Sequence, residues 1–203
     1  MASRNAKQLV YHALIKLLKT NSLNEIKVSQ LIQEAGISRN AYYYNFYSID
    51  GILNDMINTF FEEYTNLVFS WESMGATDYL TGRSERLVNF EIAKWKKIYE
   101  NRDLIFVYYK EGFGRDFMLR FVDIYYKYFK DTDFYVTESN NDKYLLSQSS
   151  VYDYIVTSGS YRYYGILEKW ISKNFAETPT EVAHIWLTAM SIASVEYSVV
   201  RKS

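Results

Sequence analysis

The sequence predicts an all-α protein of about nine helices, in which a three-helix head precedes a larger helical body. Three observations predict it. One proline and eight glycines across 203 residues leave few compulsory breaks, which favours long helices over the many tight turns of an all-β chain. Apolar residues recur at i, i+3, i+4 and i+7, the period of one helical face. The polar and glycine-containing stretches fall between those periodic segments.

Val10, Ala13, Leu14, Leu17 and Leu18 line one face of a first helix. The polar Thr20, Asn21 and Ser22 end it. Val28, Leu31, Ile32 and Ala35 repeat the spacing for two turns and stop at Gly36, a residue that suits a helix end. Ser38 can cap a third helix over residues 39–45 by accepting a bond from an orphan backbone N–H. Ser48 and Asp50 suit the start of a fourth, whose period runs to about residue 71. Residues 72–82 read as a loop. Helices follow over 83–100, 102–111 and 115–130, with breaks at Asn101 and at 112–114. Residues 131–143 read as an exposed connection. Two long helices close the chain, over 146–174 and 178–200. Thr178, Pro179 and Glu181 mark the last boundary with a threonine cap, a first-turn proline and a glutamate three residues on.

Composition excludes several classes. With 48% hydrophobic and 23% charged residues the chain has the profile of an ordinary globular protein. The absence of cysteine rules out disulfides, thiol catalysis and cysteine-based zinc sites, and permits a reducing compartment. Lys16 and Lys19 interrupt the N-terminal apolar residues, and no run approaches the roughly 18 apolar residues of a membrane span. The expected location is the cytoplasm, with no membrane partner. Residues 1–50 carry +3 and the remainder −4, so a basic head sits on a mildly acidic body.

Two short helices joined by Ala35, Gly36, Ile37 and Ser38 present the second as a rod that fits a DNA major groove, anchored by Leu31, Ala35, Ile37, Tyr42 and Phe46. The segment VSQLIQEAGISRNAYYYNFYSIDGIL resembles the head of TetR-family transcription regulators, whose usual form is T-x-x-x-I-A-x-x-A-G-V-S-x-G-x-x-Y-x-H-F-x-x-K-x-x-L. Leu31, Ala35, Gly36, Ile37, Ser38, Tyr43, Phe46 and Ile52 fall in register. Lys27 stands where threonine is usual, Asn40 replaces glycine, Asn45 replaces histidine, and Ile49 replaces a lysine that in the family lies near phosphate. The segment GSYRYYGILEKWISKNFAETPTEVAHIW also resembles the C-terminal region of a TetR subgroup.

The resemblance implies a DNA-binding domain over residues 1–47 and an effector-binding, dimerising body over 48–203. By position in the motif, Arg39, Asn40, Tyr44 and Asn45 would face base edges, where arginine suits guanine and asparagine suits adenine. Lys27, Ser38, Tyr43 and Ser48 would hold phosphates. Successive helical residues point about 100° apart, so Tyr42 belongs to the core while Tyr43 and Tyr44 face outward.

In the body, Trp95, Phe106, Tyr109, Phe113, Phe117 and Phe121, with Tyr99 and Tyr125, admit two readings: walls of the effector cavity that the resemblance implies, or plain core. The resemblance also implies a two-fold dimer through the last two helices, with Ser158, Gly159 and Gly165 on one and Trp186, Met190, Ala193 and Tyr197 on the other. His12 and His184 show no metal-ligand spacing and read as structural. Glu91, Glu111 and Asp116 define no catalytic pair, and no nucleophile, phosphate-loop or dinucleotide motif occurs, so neither enzyme activity nor a cofactor is expected. The implied function is a regulator, a repressor by family habit, that leaves a palindromic operator when a small-molecule effector binds. An activator, a sensor or co-regulator without DNA affinity, and an unrecognised all-α enzyme stay open.

Overall fold

A computed structural model of the protein describes residues 2–70, 85–130, 135–137, 143–145 and 152–200. The all-α class is the class observed. Among the described residues the chain forms α1 (Ala2–Leu18), a 3-10 turn (Leu23–Glu25), α2 (Val28–Ala35), α3 (Arg39–Asn45), α4 (Ile49–Phe69), α5 (Glu85–Glu100) and α6 (Arg102–Tyr108). A π-helical turn (Tyr109–Phe113), α7 (Gly114–Lys130), α8 (Tyr152–Ser172) and α9 (Pro179–Val200) follow. The expected loop at 72–82 and the start of the expected helix at 146 lie outside the described residues. Within the expected connection at 131–143 the chain instead begins a short antiparallel ladder, β1 (Tyr135–Thr137) against β2 (Lys143–Leu145), with Val136 opposite Tyr144. Aromatic and β-branched residues suit that pleated pairing.

The chain divides into two compact units, Met1–Glu63 with Asn101–Phe117, and Tyr64–Glu100 with Met118–Ser203. The first unit therefore takes in more chain than residues 1–47. Its core is built from the faces that the periodicity picked out: Val10, Leu14 and Leu18 of α1, Leu31 of α2, Tyr42 of α3, and Ile52 and Ile57 of α4 are all 0% exposed. Each such side chain contributes about 1.5–3 kcal/mol by leaving water. Polar ties pin α1 to its neighbours. The Tyr11 hydroxyl donates to Asp55 at 2.5 Å, with Lys7 3.3 Å from the same carboxylate. Burial, and then the hydrogen bond to Asp55, raise the Tyr11 phenol above its ordinary value, so it stays a donor. Lys19 pairs with Asp103 of α6 at 2.8 Å.

Sequence patterning predicts a break at 112–114, and the chain kinks there, between α6 and α7. Gly112 takes φ +91° inside the π turn. A Cβ there would meet nothing within 4 Å, so it is the left-handed backbone, not crowding, that calls for glycine.

The second unit has an aromatic interior centred on Tyr163 of α8. Trp95 of α5 stacks on that ring at 4.5 Å and 4°, Tyr125 of α7 lies at 3.9 Å, and Trp186 of α9 meets it at 4.5 Å. Tyr64 and Tyr125 share a hydrogen bond of 2.7 Å between their hydroxyls. Beside this cluster Glu91 and Lys94, one turn apart on α5 and 0% exposed, form an ion pair of 2.7 Å. The Lys94 ammonium also lies 4.8 Å from the Phe90 ring centroid and 5.1 Å from that of Tyr163. Burial lowers the Lys94 pKa, opposed by the adjacent carboxylate, and burial likewise raises the phenols of Tyr64, Tyr125 and Tyr163.

Desolvating two charges costs more than their attraction returns unless both stay paired, so the pair is vulnerable to losing one member. Glu91→Gln alone is expected to destabilise the protein by about 3–5 kcal/mol, while Glu91→Leu combined with Lys94→Met returns stability to the wild-type value or above. Urea unfolding of the three proteins measures both; a single variant as stable as the parent contradicts the pairing.

Candidate nucleic-acid interface

The turn between α2 and α3 is fixed by its own chemistry. Gly36 closes α2 in the left-handed region, φ +64°, where its N–H reaches the Gln33 carbonyl at 3.2 Å, and the Ile37 N–H returns to Ile32 at 3.3 Å. At the other end Lys27 donates its backbone N–H to the Gln30 side chain at 2.8 Å. Ser38 then caps α3, its hydroxyl accepting from the Ala41 N–H at 3.1 Å.

With α3 started at Arg39, the helical step decides which side chains face where. Tyr42 is 0% exposed, its ring edge-on to Tyr43 at 5.2 Å and tilted against Phe46 at 5.8 Å. Tyr43 is 61% and Tyr44 81% exposed, and Arg39 and Asn40 stand in solvent beside them. Lys27 is exposed as well. The four outward positions that the motif assigns to base edges are not equivalent: Asn45 is half-buried and donates its side-chain amide back to the Ala41 carbonyl at 2.7 Å. Two of the expected phosphate ligands carry structural duties. The Ser38 hydroxyl is the α3 cap, and the Ser48 hydroxyl caps α4 by accepting from the Gly51 N–H at 3.1 Å.

One surface residue escapes the sequence reading. Tyr47 follows the buried Phe46 outside α3 and is 100% exposed. It adds a third phenol to the outward side of the head, and the only sequence signal for it is an aromatic residue directly after the helix. No acid lies in α3, so the exposed rod carries one cation, one asparagine and two phenols over seven residues. A convex surface of this size with donors and apolar rings is chemically matched to base edges and thymine methyl groups.

The expected cavity residues are divided between the two units. Trp95 and Phe121 belong to the second unit, are 0% exposed and both lie against Tyr163, Phe121 at 5.7 Å. Phe106, Tyr109, Phe113 and Phe117 belong to the first unit. Of these Phe117 is buried against Phe61 and Tyr109, whereas Phe106 and Phe113 are 44% and 38% exposed. Trp186, expected at a dimer surface, is 1% exposed and belongs to the core of its own unit. On α8 Ser158 is exposed and Gly159 half-buried. The side chains of Met190, Ala193 and Tyr197 lie outside the described part. His12 and His184 are exposed, and no metal-binding group of His, Asp and Glu occurs among the described residues. Among the same residues no helix is long and apolar enough to cross a membrane.

No protein-family model matches the chain, and no curated protein matches it in sequence. Solved structures do. The dihydroxyacetone kinase operon activator DhaS superposes with a TM-score of 0.61 at 14% identity, over 95% of this chain and 97% of that one. NalD of Pseudomonas aeruginosa, the secondary repressor of the MexAB-OprM multidrug efflux pump, superposes with a TM-score of 0.52 at 14% identity, over 93% of this chain and 96% of NalD. The protein thus has a TetR-like fold.

Two substitutions separate what holds α3 from what it displays. Ser38→Ala removes the cap and is expected to lower stability by about 1 kcal/mol. The Tyr42 hydroxyl is buried without a hydrogen-bond partner among the described residues, so Tyr42→Phe is expected to raise stability by about 1 kcal/mol. Chemical denaturation reads both, and a Tyr42→Phe protein that unfolds more easily means the hydroxyl has a partner after all.

Proposed function

We propose that the protein is a dimeric, sequence-specific DNA-binding regulator of transcription, with α1 to α3 as its reading head and the rest of the chain as its sensing and pairing body. The observation that carries this is the division of labour on α3: Tyr42 is fully buried while Arg39, Asn40, Tyr43 and Tyr44 are exposed on a capped rod. Such a rod, of the right diameter for the major groove and edged with donors, has little other use on a protein surface.

In this reading Arg39 and Asn40 hydrogen-bond base edges, Tyr44 contacts a base edge, and Asn45 does so once its amide is released from the Ala41 carbonyl. Lys27 and Tyr43 hold phosphates. Ser38 and Ser48 act mainly as caps that aim helix N-termini, whose N–H groups themselves suit phosphate oxygens. Two copies are needed to read a pseudo-palindrome with heads about 34 Å apart. The surface offered for pairing includes Tyr154 and Tyr161 of α8, 78% and 48% exposed, together with Ser158, Gly165 and, on α9, Ile185. Gly165 has nothing within 4 Å of an added Cβ, so its side of α8 admits a close approach. Repression relieved by a small molecule is the regulatory mode we favour, with the aromatic interior around Tyr163 as the sensing region. An effector bound there acts by favouring a form whose two heads no longer fit one duplex.

Ile49 supports a second reading. It occupies the start of α4 where TetR-like heads carry a lysine, and it cannot donate to phosphate, as befits a sensor or co-regulator that has lost DNA affinity.

Selection of bound sequences from random duplex DNA decides between the two: a two-fold symmetric motif supports the regulator, and no enrichment supports the sensor. On the selected duplex, Arg39→Ala is expected to cost about 1–3 kcal/mol and to relax preference at one base pair, whereas Lys27→Ala weakens all sequences alike and lowers the salt slope by about 1. Unchanged preference in Arg39→Ala removes that residue from base reading.

A further inference from the structure

The peptide that joins α1 to α2 is held from far along the chain. Helix α1 ends at Leu18, which leaves its last carbonyls without helical partners. Leu17 is satisfied locally, by the backbone N–H groups of Thr20 and Asn21 and by the Asn21 amide at 2.9 Å. The next carbonyl is served by Lys110: its ammonium donates to Leu18 at 2.9 Å and to the Asn21 carbonyl at 3.3 Å. The adjacent Glu111 takes the opposite partner, its carboxylate accepting from the Leu23 N–H at 2.9 Å, at the first residue of the 3-10 turn. A cation thus meets the negative end of one helix, and an anion meets the positive start of the next turn.

Two neighbours on an α-helix point about 100° apart and rarely reach one target. Lys110 and Glu111 do so at the kink between α6 and α7, just ahead of Gly112 at φ +91°. Their targets are 88 to 92 residues away in sequence, so nothing local to the head provides these bonds. The clamped peptide, residues 18–23, leads directly into α2, which begins at Val28 and carries the turn to α3.

We propose that Lys110 and Glu111 are positioning residues for DNA reading: they touch no DNA, but by clamping the α1 to α2 connection they fix the orientation of the α2 and α3 pair. This rests on the regulator reading above. A correctly aimed α3 matters for base edges, which demand defined geometry, and much less for phosphates, which attract any nearby cation. The clamp therefore governs discrimination between sequences, not the general affinity for DNA.

The test uses the full-length protein and two duplexes, the one selected from random DNA and a scrambled version of it. Exchanging the two charges, Lys110→Glu with Glu111→Lys, keeps the net charge and the long-range attraction to DNA. The swap is expected to weaken the selected duplex about tenfold while the scrambled duplex and the salt slope stay as in wild type. Glu111→Ala is expected to behave like the swap, and Glu111→Gln, which keeps an oxygen acceptor for the Leu23 N–H, to regain most of the discrimination. The single variants serve if the swap does not fold, as circular dichroism reports. Amide hydrogen exchange over residues 18–26 provides a readout that needs no DNA, and faster exchange is expected in the swap and in Glu111→Ala. Faster exchange with unchanged discrimination, or equal loss on both duplexes, overturns the positioning role and leaves the regulator reading standing. A wild-type protein that enriches no duplex overturns the regulator reading and this role with it.

Discussion

A seven-residue helix cannot hold itself together in water, because its few internal hydrogen bonds do not offset the cost of nucleation. Helix α3 exists because one side of it is fastened down, and everything attributed to the head depends on that fastening. Tyr42 and Phe46 drive their rings into the core formed with α1 and α4, Ser38 supplies the missing N-terminal partner, and Gly36 sets the angle at which the chain enters. Once Tyr42 is buried, the helical step leaves Arg39, Asn40, Tyr43 and Tyr44 no option but the outside. The exposed face of α3 is thus a by-product of the anchor, and its stiffness is borrowed from the first unit.

The second unit solves a different problem. Its interior is not the usual aliphatic filling but stacked rings around Tyr163, with phenol hydroxyls and an ion pair between Glu91 and Lys94 shut away from water. An apolar core of equal volume would be at least as stable, since charges gain little from burial beyond what desolvation removes. What a polar interior provides is a definite arrangement, because each hydroxyl and charge must find a partner in a defined direction.

Much of this was legible in the sequence and some was not, for physical reasons. The period of Val10, Leu14, Leu18 and Leu31 is a direct record of burial, and the helices it marks are present. The 100° step between Tyr42, Tyr43 and Tyr44 is equally local, so the separation of core from surface could be read without coordinates. The Thr178 box is there too, the Thr178 N–H donating to Glu181 at 2.7 Å. By contrast Glu91 and Lys94 carry the spacing of an ordinary solvated pair, and only the packing of distant helices turns that pair inward. Trp186 reads as a member of an interface stripe, and tertiary packing places it inside. Phe106 and Phe113 read as buried aromatics but are partly exposed, and although the break at 112–114 was legible, the partners that Lys110 and Glu111 find in residues 18–23 were not. The side-chain roles that rest on one helix face were accessible, and those that rest on contacts between distant segments were not.

The central claim is that the outward side of α3 meets DNA. Chemical nitration of tyrosines, mapped by mass spectrometry with and without a bound duplex, measures this directly. The account predicts that a duplex protects Tyr43, Tyr44 and Tyr47, which are 61%, 81% and 100% exposed in the protein alone. Tyr44 reacting as fast in the complex as in its absence would contradict it.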